Sequence, residues 1–288
     1  KGKINKTSEN DENQNSIILK IIDSILDDNE KEFNSIILQK TSNDPNFKLS
    51  ITLKKYKLPK ILCSQPSIAS LCAFFGAEKC FNSFSMLYSS EKNSSSFDQI
   101  DNNSRSILHF ACAGGNLNII REIEQKNIDI NAKDAENMTP ICYAAMMGHL
   151  NVIKYLWTKG ATILLPSSND LSPFHIACQH GNLEIAKFLY DTFLSDNIQA
   201  AKMLFQPKLK RNTTPLHLAC EGGHSDIVQY LASMDELFKI QANSYDGYLR
   251  TPAVVACQNG SLNCLKILSQ KGEVTFDIQK NIFDKKNN

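Results

Sequence analysis

The chain has 288 residues, with 31 Lys plus Arg against 30 Asp plus Glu and a formal net charge of +1. So even a balance argues against a protein that coats nucleic acid, and no run of about eighteen apolar residues offers a membrane span. Residues 1–16 are polar and lack the apolar stretch of a secretory signal.

In chain order, residues 1–15 are rich in Asn, Lys and Glu and predict a disordered tail. From Ser16 to Lys40 the spacing predicts two amphipathic helices. Ile18, Ile22, Ile25 and Leu26 form one stripe and Phe33, Ile36 and Ile37 the other, divided by Asp27-Asp28-Asn29-Glu30. Asp44-Pro45 marks a loop. Lys54, Lys55, Lys57 and Lys60 then make a basic patch, read as a solvated face, with a nuclear-import or docking signal as the sharper alternative.

A pattern begins to recur after that. Thr214-Pro-Leu-His-Leu-Ala-Cys220, closing on Gly223-His224, has copies starting at Ser106, Thr139, Ser172 and Thr251, and a degenerate one at Ser67 with Leu71-Cys72-Ala73 in its middle. The steps from Ser106 to Thr139 and on to Ser172 are both 33 residues, and the next two are 42 and 37. Thr or Ser supplies a helix N-cap and Pro the first helical position. Small residues keep the helix thin, and Gly ends it in the left-handed region. A second helix follows each time, with Leu150, Val152, Ile153, Leu156 and Trp157 as one apolar face and Leu183, Ile185, Ala186, Phe188 and Leu189 as another. Trp157 is expected in the core. The longer steps predict an extension near Asp196-Asn197 and four extra residues within Asp235–Tyr248, where Asp246-Gly247 marks a turn. The chain begins without Met and stops mid-period, which reads as a piece of a longer protein.

A period near 33 carrying Thr-Pro-Leu-His-x-Ala resembles the ankyrin repeat. The resemblance covers the last two-thirds of the chain and implies an all-α fold: an ankyrin-repeat α-solenoid of stacked helix-turn-helix units with β-hairpin-like finger loops. About six repeats are expected over residues 63–288, behind a helical cap over 16–62 that covers the apolar end of the stack. Asn137 stands where that family has Gly, and Asn is the next best residue for the left-handed region. The run from Pro66 to Phe81 resembles a segment of large protist ankyrin families with a helical N-terminal region.

The nine cysteines look structural. Cys112, Cys178, Cys220 and Cys257 share one repeat position, and equivalent residues of stacked helices stand about 8–10 Å apart, too far for a disulfide. They read as small buried residues in a reducing compartment. A zinc site is the alternative, and no C-x-x-C pair supports it. His109, His175 and His217 hold the motif position, and His149 and His224 follow the motif Gly. His180 alone lacks such an address. No phosphate loop, Ser-His-Asp order or H-E-x-x-H motif is present.

The resemblance therefore implies a non-enzymatic protein-interaction scaffold or adaptor of the cytoplasm or nucleus. It needs no cofactor and no metal, and takes no nucleic acid or small-molecule substrate. The alternative is an accessory array of a larger protein whose catalytic or channel domain lies outside this stretch. A partner protein is expected at the inner-helix ends, through Met146, Met147, Gln179, His180 and Glu221. The finger loops add Asp134, Glu136, Lys208, Arg211, Tyr245, Tyr248 and Arg250, types that include the Met, Tyr and Arg enriched at interfaces. Asn169, Asp170 and Lys210 belong to the same fingers.

Overall fold

A computed structural model describes residues 17, 19–43, 62, 66–89, 100–126, 128–163, 171–194 and 212–271. All regular structure among them is helical. In chain order come α1 (residues 19–26), α2 (Glu30–Asn43), α3 (Ile68–Phe75), α4 (Glu78–Ser89), α5 (Ile107–Gly114) and α6 (Leu117–Glu124). Then follow α7 (Pro140–Met147), α8 (Leu150–Thr158), α9 (Pro173–His180), α10 (Leu183–Leu194), α11 (Pro215–Gly222), α12 (Ser225–Ala232), α13 (Asp235–Ala242), α14 (Pro252–Gln258) and α15 (Leu262–Gln270). The chain forms two compact units, Lys1–Ala135 and Glu136–Asn288. The expected tail, the Lys54–Lys60 patch and the extension near Asp196 lie outside the described residues.

The local chemistry of the repeat is carried out as its residues dictate. Ser67, Ser172, Thr214 and Thr251 accept a hydrogen bond from the backbone N–H three residues on. Pro140, Pro173, Pro215 and Pro252 open their helices. Nine residues after each cap stands a Gly with φ between 68° and 86°, and the next residue begins the outer helix. Asn137 takes φ 56°, as expected of it.

In the first unit, α3 and α5 lie so close that a Cβ on Gly114 would stand 2.1 Å from the carbonyl oxygen of Phe74. The N-terminal pair α1–α2 docks on the same stack. Ile21, Ile25, Phe33 and Ile37 are buried, and Ser83 Oγ donates to Glu30 at 2.7 Å. Its turn copies the turn of the repeats: Asp28 has φ 45°, and Asn29 N–H reaches back to Ser24 O at 2.8 Å, as Asn182 N–H does to Ala177 O at 3.0 Å. Helix α4 has no capping side chain of its own, because Ala77 precedes it. Asp28 supplies one from outside, its Oδ1 accepting from Lys79 N and Cys80 N at 3.0 and 3.1 Å. Asp28→Ala is therefore expected to cost about 1 kcal/mol, the usual worth of an N-cap. A chemical denaturation midpoint equal to the parent's would show that this carboxylate caps nothing.

In the second unit, the side chains after Gly181, Gly223 and Gly260 stitch their outer helices to the preceding inner helix. Asn182 Nδ2 donates to Ala145 O at 2.7 Å, His224 Nε2 bonds Gln179 O at 3.0 Å, and Ser261 Oγ donates to Cys220 O at 3.3 Å. In the first unit Asn116 Nδ2 makes the corresponding bond to Gly76 O at 3.4 Å. The extra residues after His224 form the short helix α13, which buries Gln241. Its Oε1 accepts from Leu216 N at 3.0 Å, satisfying a donor in the first turn of α11.

Two expectations are corrected. Trp157 is 38% exposed: Val152, Ile153 and Leu156 fill the buried face of α8, and the next position along holds only a small residue inside, as Ala232 shows on α12. Cys257 is exposed although its equivalents Cys112, Cys178 and Cys220 are buried. Helix α15, the outer helix of the following repeat, brings Cys264 against Cys220, and no described residue plays that part for Cys257.

Candidate functional site

The motif histidines are part of the frame. His217 Nδ1 faces the Thr214 hydroxyl at 2.8 Å and the Thr214 N–H at 3.3 Å, so Nε2 carries the proton and donates to Arg250 O at 2.9 Å. His109 and His175 make the same Nδ1 contact to Ser106 and Ser172. In two repeats with another residue in this place the cap still finds a side-chain partner: Cys142 Sγ stands 3.4 Å from Thr139 Oγ1 and Ser70 Oγ 2.9 Å from Ser67 Oγ.

Burial lowers the His217 pKa and outweighs the bond to Arg250 O, which pulls it upward. With the folded-state value below the unfolded value of about 6.5, the unfolded chain binds the extra proton. Stability from this group is thus present above that pH and is lost as pH falls through the folded value. His217→Gln should flatten the acid side of a plot of melting temperature against pH. Parallel acid limbs for parent and variant would remove His217 as the cause.

Two fingers share one clamp, five residues long. Asp101 Oδ1 accepts from Asn103 N and Arg105 N at 2.9 and 2.8 Å, while Oδ2 takes Arg105 Nε and an NH2 group, each at 2.8 Å. Asp246 repeats this with Tyr248 N and Arg250 N at 2.9 and 2.8 Å, and with the Arg250 guanidinium at 2.8 and 2.7 Å. Arg250 also reaches Gln258 Oε1 at 3.1 Å. The clamp's sequence signal is an Asp four residues before an Arg that directly precedes a Ser or Thr cap.

The structure sorts the expected contact residues. Asp134 is buried (6% exposed) and stands in the register of Asp101 and Asp246, five residues before a cap. That removes it from the side chains a partner can freely touch. Glu136, Met147, His180, Glu221 and Tyr248 are exposed, and Met146, Gln179, Tyr245 and Arg250 are half-buried. Lys208 and Arg211, with Asn169, Asp170 and Lys210, lie outside the described residues.

Within the second unit, α7, α9 and α11 pack as neighbours with their C-terminal ends together. Asn182 Nδ2 lies 3.1 Å from Met146 O, and a Cβ on Gly222 would stand 2.7 Å from Gln179 O. This forms a row of Met146 and Met147, then Gln179 and His180, then Glu221. Burial, followed by neighbouring His224, lowers the His180 pKa and keeps that imidazole neutral near pH 7.

The thiols give no competing site. Burial raises the Cys112 and Cys178 pKa values, which disfavours the nucleophilic thiolate. Cys220 is raised by its hydrogen bond with Cys264 and by burial. This thiol pair joins non-equivalent positions, so counting along the inner helices does not find it. Among the described residues, no group of three or more His, Cys, Asp or Glu could hold a metal ion, and no helix is long and apolar enough to cross a membrane.

Paired short helices, a cap-Pro-x-His start and a left-handed Gly at each inner-helix end define a stacked helical-repeat protein. The family model for ankyrin repeats (3 copies) matches residues 69–167, 108–199, 161–232 and 193–282. The chain belongs to the ankyrin-repeat family. No curated protein matches it.

Proposed function

We propose that this chain is a protein-interaction module, a scaffold or adaptor without a reaction of its own. The observation that carries the reading is the row at the ends of α7, α9 and α11. The residues before it on each helix are buried, yet Met147, His180 and Glu221 are turned out to solvent on a rigid backbone. A preformed surface loses little conformational freedom on binding, and a Met beside a neutral imidazole and a carboxylate suits a partner of mixed polarity. Thiols packed as small core residues support a reducing setting, the cytoplasm or nucleus.

The test is cross-linking with mass spectrometry in the native cell, repeated with Met147→Ala, His180→Ala and Glu221→Lys combined. Partner cross-links should map to the row and fall about tenfold in the variant. Equal recovery from a folded variant would overturn the assignment.

A further inference from the structure

Equivalent cysteines on stacked inner helices stand too far apart to join, but Cys220 and Cys264 are not equivalent. Cys220 lies on the inner helix α11, and Cys264 lies in the first turn of α15, the outer helix of the next repeat. Ser261, three residues before Cys264, donates from its hydroxyl to the Cys220 carbonyl oxygen at 3.3 Å. The two thiols hydrogen-bond to each other, and both residues are 0% exposed.

Packing does not ask for sulfur in this place. Two repeats earlier the same clasp joins Asn182 to the Ala145 carbonyl oxygen at 2.7 Å. There the registers of Cys220 and Cys264 hold Ala145 and Ile185, both buried. Ile119, Val152 and Ile227 hold the Cys264 register on α6, α8 and α12, and they are buried too. Cys80 shares that register on α4, but its thiol donates to the Ser24 carbonyl oxygen at 3.5 Å.

The two sulfurs are also unlike in reactivity. The hydrogen bond from Cys220 lowers the Cys264 pKa, against burial and the Asp226 carboxylate. That bond and burial raise the pKa of Cys220. Cys264 is thus the better nucleophile, with a second thiol in contact to resolve what it forms. Burial shields both, so the oxidant must be small and must enter when α15 opens. Helix α15 packs chiefly on α12 and α14, and an element held on few sides opens locally at less cost than the whole fold.

We infer that Cys220 and Cys264 form a reversible redox latch, joined as a disulfide by a hydroperoxide and reopened by thiol reductants. The Cys264 thiolate attacks one peroxide oxygen and the O–O bond breaks. The departing oxygen leaves as water with the Cys264 proton, and Cys264 becomes a sulfenic acid. Cys220 sulfur then attacks Cys264 sulfur, the S–O bond breaks, and a second water leaves with the Cys220 proton. Two electrons pass from the thiol pair to the peroxide. A dithiol reverses the step by thiol–disulfide exchange and departs as its own disulfide. In a reducing setting the latch rests open. Closed, it ties α11 to α15 across 44 positions (264 minus 220). It then also fixes the end of the row at Glu221, next to Cys220; that consequence rests on the interaction reading, and the bond itself does not.

The experiment treats the folded whole chain with iodoacetamide, which marks the exposed Cys257, and then with hydrogen peroxide. The protein is unfolded, its remaining thiols are capped with N-ethylmaleimide, and a digest made without reductant is mapped by mass spectrometry. The expected result is a peptide pair joined through Cys220 and Cys264. The melting temperature should rise by about 5–10 °C, and dithiothreitol should abolish both effects. Cys264→Val copies Val152, and Cys220→Ala copies Ala145, so each places in the pair a residue this chain already packs in that register. Neither variant should gain stability from peroxide. Cys220 and Cys264 recovered on separate peptides, as maleimide adducts or as sulfinic acids, would overturn the latch. An equal rise in melting temperature in either variant would do the same. Neither result touches the interaction reading, which the cross-linking above tests.

Discussion

Arg105→Ala should be the most damaging single change in the first unit, lowering stability by about 3–5 kcal/mol. The side chains of Arg105 and Asp101 are 5% and 0% exposed, so truncating the arginine leaves a carboxylate that water cannot reach. The same carboxylate orders the finger through two backbone N–H groups. Its distress therefore spreads to the loop that leads into the Ser106 cap. The melting temperature should fall by about 10 °C. A partner change tells stored charge from lost packing: Asp101→Asn keeps an acceptor oxygen for both N–H groups and removes the buried charge. Added to Arg105→Ala, it should recover a large part of the loss. A double variant as unstable as the single would place the effect in the contact of Arg105 with Phe110 instead.

Gly114→Ala should also be severe, although exchanging Gly for Ala inside a helix ordinarily helps by about 1 kcal/mol. The new methyl group would meet the Phe74 carbonyl oxygen at 2.1 Å and the Ala73 carbonyl oxygen at 2.9 Å. These are backbone atoms of a neighbouring helix and cannot rotate away. Helices α3 and α5 would have to separate, loosening the packing around Leu71, Cys72, Ala111 and Cys112, which are all fully buried. A net loss of about 3 kcal/mol is expected, the upper end for overpacking. Guanidinium denaturation measures it directly, and a midpoint at or above the parent's would mean that the two helices have room to spare.

The repeat was legible because its residues act locally. A Ser or Thr cap, Pro after it and Gly nine positions on each settle a few backbone angles without help from elsewhere, and a fixed step shows that the units stack. What stayed hidden acts across distance. Asp28 caps a helix that begins fifty residues later in the chain, and nothing near it announces that role. Gln241 reaches a donor on α11, and the short helix that carries it looked like loop surplus. Cys264 meets Cys220 from a different register. Trp157 misled because its helical spacing suits a buried face, while the available space is set by the neighbouring repeat. In the row, exposure could be foreseen from the family pattern. In the fingers it could not, because Asp134 and Arg250 look like free charges until their loops are folded around them.

The back-reaching bond of Asn116, Asn182, His224 and Ser261 has a genealogical consequence. Each acceptor is main chain and belongs to the unit just before, so the fastening asks nothing of that neighbour's side chains. A gene that gains or loses one whole unit by slippage, cut between equivalent codons, still produces a chain whose every clasp finds its eyelet. An excision out of phase does not. Arrays fastened this way can change length within a lineage far more readily than they can change pitch.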